Sequence, residues 1–189
     1  MAGRTQIVCL CEGEKSSIDT VFINKLMKSL KPAWLRREGS NVIRLQPCGS
    51  RSELIKQTPR ECRHCMDAGA DTTLMVWSDC DHNCADGEAL KAEFWKEAKQ
   101  SGIKLDDFNR IVFIFARDRL ENWIEFLKTG RTNENSEGPR LKDSREAAEA
   151  AKKLADICTA GEPVKNMPPS LDWSCKNWRA LVKRMGSSR

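Results

Sequence analysis

Apolar residues follow two alternating patterns along this chain. Residues 5–11 (TQIVCLC), 73–77 (TLMVW) and 111–115 (IVFIF) are continuous apolar runs of strand length, the pattern of strands buried on both faces. Residues 41–46 complete a set of four predicted strands. Between the runs the period becomes helical. Ile18, Phe22, Leu26 and Leu30 recur every four residues behind Ser16, and Pro32 stops the stretch. A second helical segment starts at Ser52, and Pro59 is expected to break or kink it. Residues 88–100 carry Leu90, Phe94 and Ala98 in register, with Gly102 placed as a C-cap. Leu120, Trp123, Ile124 and Leu127 then give an i, i+3, i+4, i+7 stripe closed by Gly130.

Strand alternating with helix four times predicts an α/β fold over residues 1–130, a parallel four-stranded sheet flanked by helices. After Gly130 the pattern breaks. Residues 129–141 are polar and contain glycine and proline, as a hinge loop does. Asp143 and Glu146 have capping-box spacing ahead of an Ala-rich helix over 144–157. A turn at Met167, Pro168 and Pro169 precedes a last helix over 172–185, whose Trp173, Leu181, Val182 and Met185 can dock on the core. Residues 131–189 are therefore expected to be a helical C-terminal extension packed on the domain.

Composition narrows the class. A chain of 189 residues buries a core without staples. With 40% hydrophobic and 31% charged residues it reads neither as a disordered tail nor as a membrane protein. No apolar run approaches the roughly 20 residues that span a bilayer. Residues 1–7 lack the apolar segment of a secretory signal, so a cytoplasmic chain with reduced thiols is expected. The formal net charge of +5 permits an anionic partner without demonstrating one.

In an open parallel sheet, ligands bind beyond the carboxyl ends of the strands. The first strand runs out into Cys11, Glu12, Gly13 and Glu14, and the third into Ser78, Asp79, Cys80 and Asp81. If the third strand stays extended, its two-residue period sets Asp79 and Asp81 on one side and Cys80 on the other. Two carboxylates facing Glu12 make an oxygen-rich nest for a hard divalent cation. Mg2+ (or Mn2+) suits such a nest, together with waters and substrate phosphate oxygens, and can activate water in phosphoryl transfer. The competing reading has the aspartates capping the next helix.

CEGEKSSID behind one buried strand, with WSDCD behind a later one, resembles the TOPRIM domain. Primases, topoisomerases and the nucleases of the overcoming-lysogenization-defect and RloB-like groups share that Rossmann-like domain. The likeness spans residues 5–128, and CEGEK is especially close to RloB-like proteins. It implies that Glu12 is a metal ligand or general acid/base and that Asp79 and Asp81 hold Mg2+. ARDRLENWIEFL is similar to the acidic-aromatic segment after the family's fourth strand, which implies Glu121 as a further ligand. The family's nucleases usually carry another acid four or five positions after the first glutamate. Here Ser16 and Ser17 stand at those positions, and Asp19 is the nearest substitute. Capping boxes give structural readings of both extra acids, Ser16 with Asp19 and Asp118 with Glu121. The resemblance further implies an Mg2+-dependent nuclease of DNA or RNA, acting in bacterial anti-phage defence beside a separate ATPase. The chain's own EGEKS is not a phosphate loop.

Other residues carry rival chemistry. Cys62 and Cys65 (CxxC) with Cys80 and Cys84 (CxxxC) have the spacing of a structural Zn2+ site. His82, next to Asp81, can assist at a metal or sit in an exposed loop. Lys176, Arg179, Lys183 and Arg184 give the last helix a positive face, which either neutralises phosphates or is simply solvated. The six tryptophans read as packing residues rather than base-stacking platforms. A non-catalytic TOPRIM-like or zinc-containing nucleic-acid-binding or partner subunit is the alternative to a nuclease.

Overall fold

The structure, a computed structural model, describes residues 6–30, 43–69, 72–81, 84, 86–136, 140–141, 143–161 and 164–187, with backbone alone at Gln6, Val182 and 184–187. Strands β1 (Gln6–Cys11), β2 (Ile43–Pro47), β3 (Thr72–Cys80) and β4 (Val112–Arg117) form one parallel sheet in the order β2-β1-β3-β4. Between them in the chain come α1 (Ile18–Leu30), α2 (Arg51–Asp67), α3 (Gly87–Gln100) and the short α4 (Leu105–Phe108). Three helices follow: α5 (Leu120–Thr129), α6 (Ser144–Ala160) and α7 (Pro169–Ser187). This is the Rossmann-like α/β arrangement that the alternating pattern predicts.

Successive residues of a strand point to opposite faces, and each face here has its own core. Ile7, Cys9, Met75, Trp77 and Ile114 share one buried cluster with α1, α5, α6 and α7. Val8, Leu10, Val76, Phe113 and Phe115 share the other with α2, α3 and α4. Among the described residues, 131–189 build no core of their own. Ala151 and Leu154 of α6 and Leu171 and Trp178 of α7 belong to the first cluster.

Helix α7 also closes the sheet. β4 is an edge strand, and an edge presents unpaired backbone groups. Ser170, Ser174 and Asn177, about one turn apart, take these up. Ser170 Oγ accepts from the Arg117 N–H (3.2 Å). Ser174 Oγ accepts from the Phe115 N–H (3.1 Å) and donates to the Phe115 carbonyl (3.2 Å). Asn177 Nδ2 donates to the Phe113 carbonyl (3.0 Å). α7 therefore runs antiparallel to β4, starting at the strand's carboxyl end.

Several element ends differ from expectation. α2 continues through Pro59 without a break. Proline removes one helical N–H there, and in the same turn the Thr58 hydroxyl donates to the Leu54 carbonyl (2.8 Å). Ser17, not Ser16, caps α1, accepting from the Thr20 N–H at 3.3 Å. α5 is preceded by Arg119, which makes no side-chain capping bond, while Asp118 lies one residue too early at φ +63°. Neither of those two boxes forms; Asp19 and Glu121 instead each accept from their own backbone N–H in the first turn of α1 and α5. Asp143 does cap α6, accepting from the Arg145 N–H (2.8 Å). Glu146 pairs with Lys128 of α5 instead (2.7 Å). α7 begins at Pro169, three residues earlier than predicted.

Candidate functional site

β1 ends at Cys11, paired with Trp77, and Glu12 follows directly. Glu12 Oε1 accepts from the Asp79 N–H (3.0 Å), beyond the last strand pair, and from the Ser78 hydroxyl. The end of β3 thereby orients this carboxylate. Gly13 then turns the chain at φ +83° and exchanges backbone hydrogen bonds with Gly49 (2.7 and 3.0 Å). A Cβ at Gly13 would lie 2.7 Å from Ser17 Oγ and 3.6 Å from Asp19 Oδ2. Left-handed backbone and close approach both demand glycine. Gly13→Ala is expected to cost about 1–3 kcal/mol and to displace the Ser17 cap, measurable as a lower denaturation midpoint.

Asp79 lies two residues beyond Trp77, so strand alternation directs it to the face covered by α1 and α5. Those helices bring Asp19 and Glu121 towards it. Burial holds the Asp79 carboxyl well above the usual carboxylate range, and the charges of Asp19, Glu12, Glu121 and Asp81 push it the same way. Glu12, Asp19 and Glu121 are also raised, in each case chiefly by burial. The Glu12 charge adds to the rise at Asp19, and the Asp19 charge to that at Glu121. These four carboxylates therefore repel one another in a half-buried setting. A cavity of about 20 Å3 lies against Glu12, Asp19 and Asp79, floored by Ile23, Trp77 and Leu120. That is room for one water molecule or one ion. Among the described residues, no three His, Cys, Asp or Glu side chains already converge on one point as metal ligands do.

Asp81 departs from the expected arrangement. β3 stops at Cys80, so the two-residue alternation no longer governs the next position. Asp81 instead places Oδ2 2.9 Å from Arg51 Nη1, with its side chain 61% exposed. It stands at the rim rather than beside Asp79. Arg51 is a site residue that the sequence pattern did not single out. The available signal was its position, first in a helix that follows the carboxyl end of a strand.

The four candidate zinc cysteines do not assemble. Cys62 and Cys65 lie against Thr72 and Thr73 at the start of β3, whereas Cys80 ends that strand. Seven residues of extended chain separate the two places by about 23 Å. A single tetrahedral ion holds its sulfurs within about 5 Å of one another. The Cys80 and Cys84 thiols instead face the Asp86 carbonyl (3.6 and 3.1 Å). His82 lies outside the described residues.

The basic helix is placed away from the acids. Lys176 pairs with Asp172 (2.5 Å), and Arg179 Nε donates to the Cys175 carbonyl (3.3 Å). Lys183 is exposed, and the Arg184 side chain lies outside the described part. Because α7 runs antiparallel to β4, residues 176–184 lie about 9–21 Å along the helix from Ser170, towards the amino ends of the strands.

No protein-family profile, curated protein or solved structure matches this chain. Among the described residues, no helix is long and apolar enough to cross a membrane.

Proposed function

We propose that the chain is a divalent-metal-dependent phosphodiesterase, a TOPRIM-like nuclease acting on DNA or RNA. One observation carries this reading. Glu12, Asp19, Asp79 and Glu121, from four separate elements, gather at the carboxyl end of a parallel sheet, three of them around an ion-sized cavity. Their mutual repulsion is the electrostatic condition that a bound cation relieves. Glu12, Asp19 and Asp79 would hold Mg2+ or Mn2+, with Glu121 adjacent and Asp81 at the rim. Asp19 then supplies the acid that Ser16 and Ser17 lack. The ion, when bound, supplies polarisation of phosphate oxygens and activation of the attacking water.

The chain's own residues act by position. Ser78 and the Asp79 N–H hold Glu12 in one orientation, and Arg51 presents a guanidinium of the kind that binds phosphate oxygens. Arg51→Ala is expected to raise KM for nucleic acid about tenfold, the loss of one charge-assisted hydrogen bond, with little change in kcat. Steady-state kinetics on a labelled oligonucleotide measure the split. A substrate touching both the acids and the basic face of α7 has to run about 10–20 Å along that helix. A role in bacterial anti-phage defence beside a separate ATPase extends the proposal and rests on the family resemblance alone.

The test is incubation of the purified chain with labelled DNA and RNA in Mg2+, Mn2+ or EDTA. Cleavage of at least one nucleic acid with either metal, and none in EDTA, is expected. Binding without cleavage in every condition would favour the non-catalytic partner subunit, a reading supported by the engagement of Asp81 with Arg51.

A further inference from the structure

Two of the nine cysteines differ from the rest. Cys158, in the last turn of α6, is the one cysteine of the nine that is not buried. Its Sγ lies 3.2 Å from Sγ of Cys175 on α7. Both thiols line a cleft of about 530 Å3 between the two helices, together with Asp172 and Arg179. We propose that Cys158 and Cys175 form a reversible dithiol–disulfide pair, oxidised by a peroxide that reaches Cys158 through this cleft.

The geometry asks for little movement. A disulfide bond is about 2.05 Å long, so the two sulfurs need to close by only about 1 Å, within reach of side-chain rotation. Reactivity is divided between the partners. Cys158 is part-exposed at the cleft whereas Cys175 is buried, the two sulfurs share one hydrogen bond in which either can donate, and the Arg179 charge favours the thiolate. Burial pushes the thiols of Cys9, Cys11, Cys48, Cys62, Cys65 and Cys80 up, which makes them poor nucleophiles.

The chemistry balances with hydrogen peroxide as the named oxidant. The Cys158 sulfur attacks one peroxide oxygen, an S–O bond forms, the O–O bond breaks, and water leaves. The Cys175 sulfur then attacks the Cys158 sulfenic acid, the S–O bond breaks, and a second water leaves with the Cys175 proton. Two thiols and one peroxide thus give one disulfide and two waters. Two equivalents of a small thiol reverse the reaction. The product ties α6, which packs on α1, to α7, which covers the edge of β4. The pairing stands independently of the proposed nuclease activity.

The experiment treats the reduced full chain with one equivalent of hydrogen peroxide, alkylates the remaining thiols, and maps peptides without reduction. Expected is a peptide pair joined through Cys158 and Cys175, two fewer alkylated cysteines, and recovery with dithiothreitol. Cys175→Ser should leave a Cys158 sulfenic acid that dimedone traps. Circular dichroism verifies that this variant folds, and the wild-type map decides alone if it does not. Full alkylation of both cysteines after peroxide, or a first cross-link among other cysteines, would overturn the proposal.

Discussion

Asp79→Asn is expected to abolish metal-dependent cleavage while raising the thermal stability of the metal-free protein. Burial opposes its charge, as do the nearby charges of Asp19, Glu12 and Glu121 and, from the rim, that of Asp81. Removing a carboxylate proposed to hold the metal should cost about 1,000-fold in rate, ~4 kcal/mol of barrier. The same change removes a repelled charge from the fold. Its sign with pH follows from linkage. Asp79, Glu12, Asp19 and Glu121 all have folded pKa values above their unfolded ones. The native state therefore binds more protons, and stability falls as pH rises above the ordinary carboxylate range towards the raised folded values. In EDTA the melting temperature should be higher at pH 5 than at pH 8, and Asn at position 79 should flatten that difference. Mg2+ should restore stability at pH 8 in the wild type and much less in the variant. Thermal melts of both proteins, with and without metal at both pH values, test every part of this expectation.

Trp123→Ala is expected to give the largest loss of stability, about 3–5 kcal/mol, a large share of the 5–15 kcal/mol typical of a folded domain. The indole is 1% exposed and meets Trp77 edge-on, with centroids 6.1 Å apart at 66°. Its Nε1–H donates to Ser170 Oγ (2.8 Å). That oxygen also accepts from the Arg117 N–H, and its hydroxyl donates to buried Glu134. One side chain thus packs the core under the acid cluster and anchors the first turn of the helix that covers β4. Trp123→Phe keeps much of the ring packing and loses the hydrogen bond, for about 1–2 kcal/mol. Urea denaturation of the two variants separates the packing contribution from the polar one.

The strands were legible because a parallel sheet buries both faces, and runs such as IVFIF have few other uses. Their order in the sheet was not, since β1 lies between β2 and β3 through contacts that no local pattern encodes. Glu12 and Asp79 were legible as acids at strand ends. Setting Asp81 on the same side as Asp79 required the strand to stay extended through residue 81, and β3 ends at Cys80. Asp19 had a capping-box explanation that dissolved when Ser17 took the cap. Arg51 carried no motif, and only the fold brings the start of α2 to the rim of the site. The basic residues of α7 were visible as charge, but the helix's direction against β4 sets them away from the acids. The cysteine spacings allowed zinc, but the apolar run TLMVW between the two pairs already spoke against it, and as part of β3 that run holds them apart.

Crystals grown with manganese, with anomalous scattering measured at its absorption edge, locate a bound ion directly. A peak is expected in the small cavity among the carboxylates of Glu12, Asp19 and Asp79, absent from Asp79→Asn crystals. Manganese found only elsewhere, or no peak at saturating manganese, would contradict it.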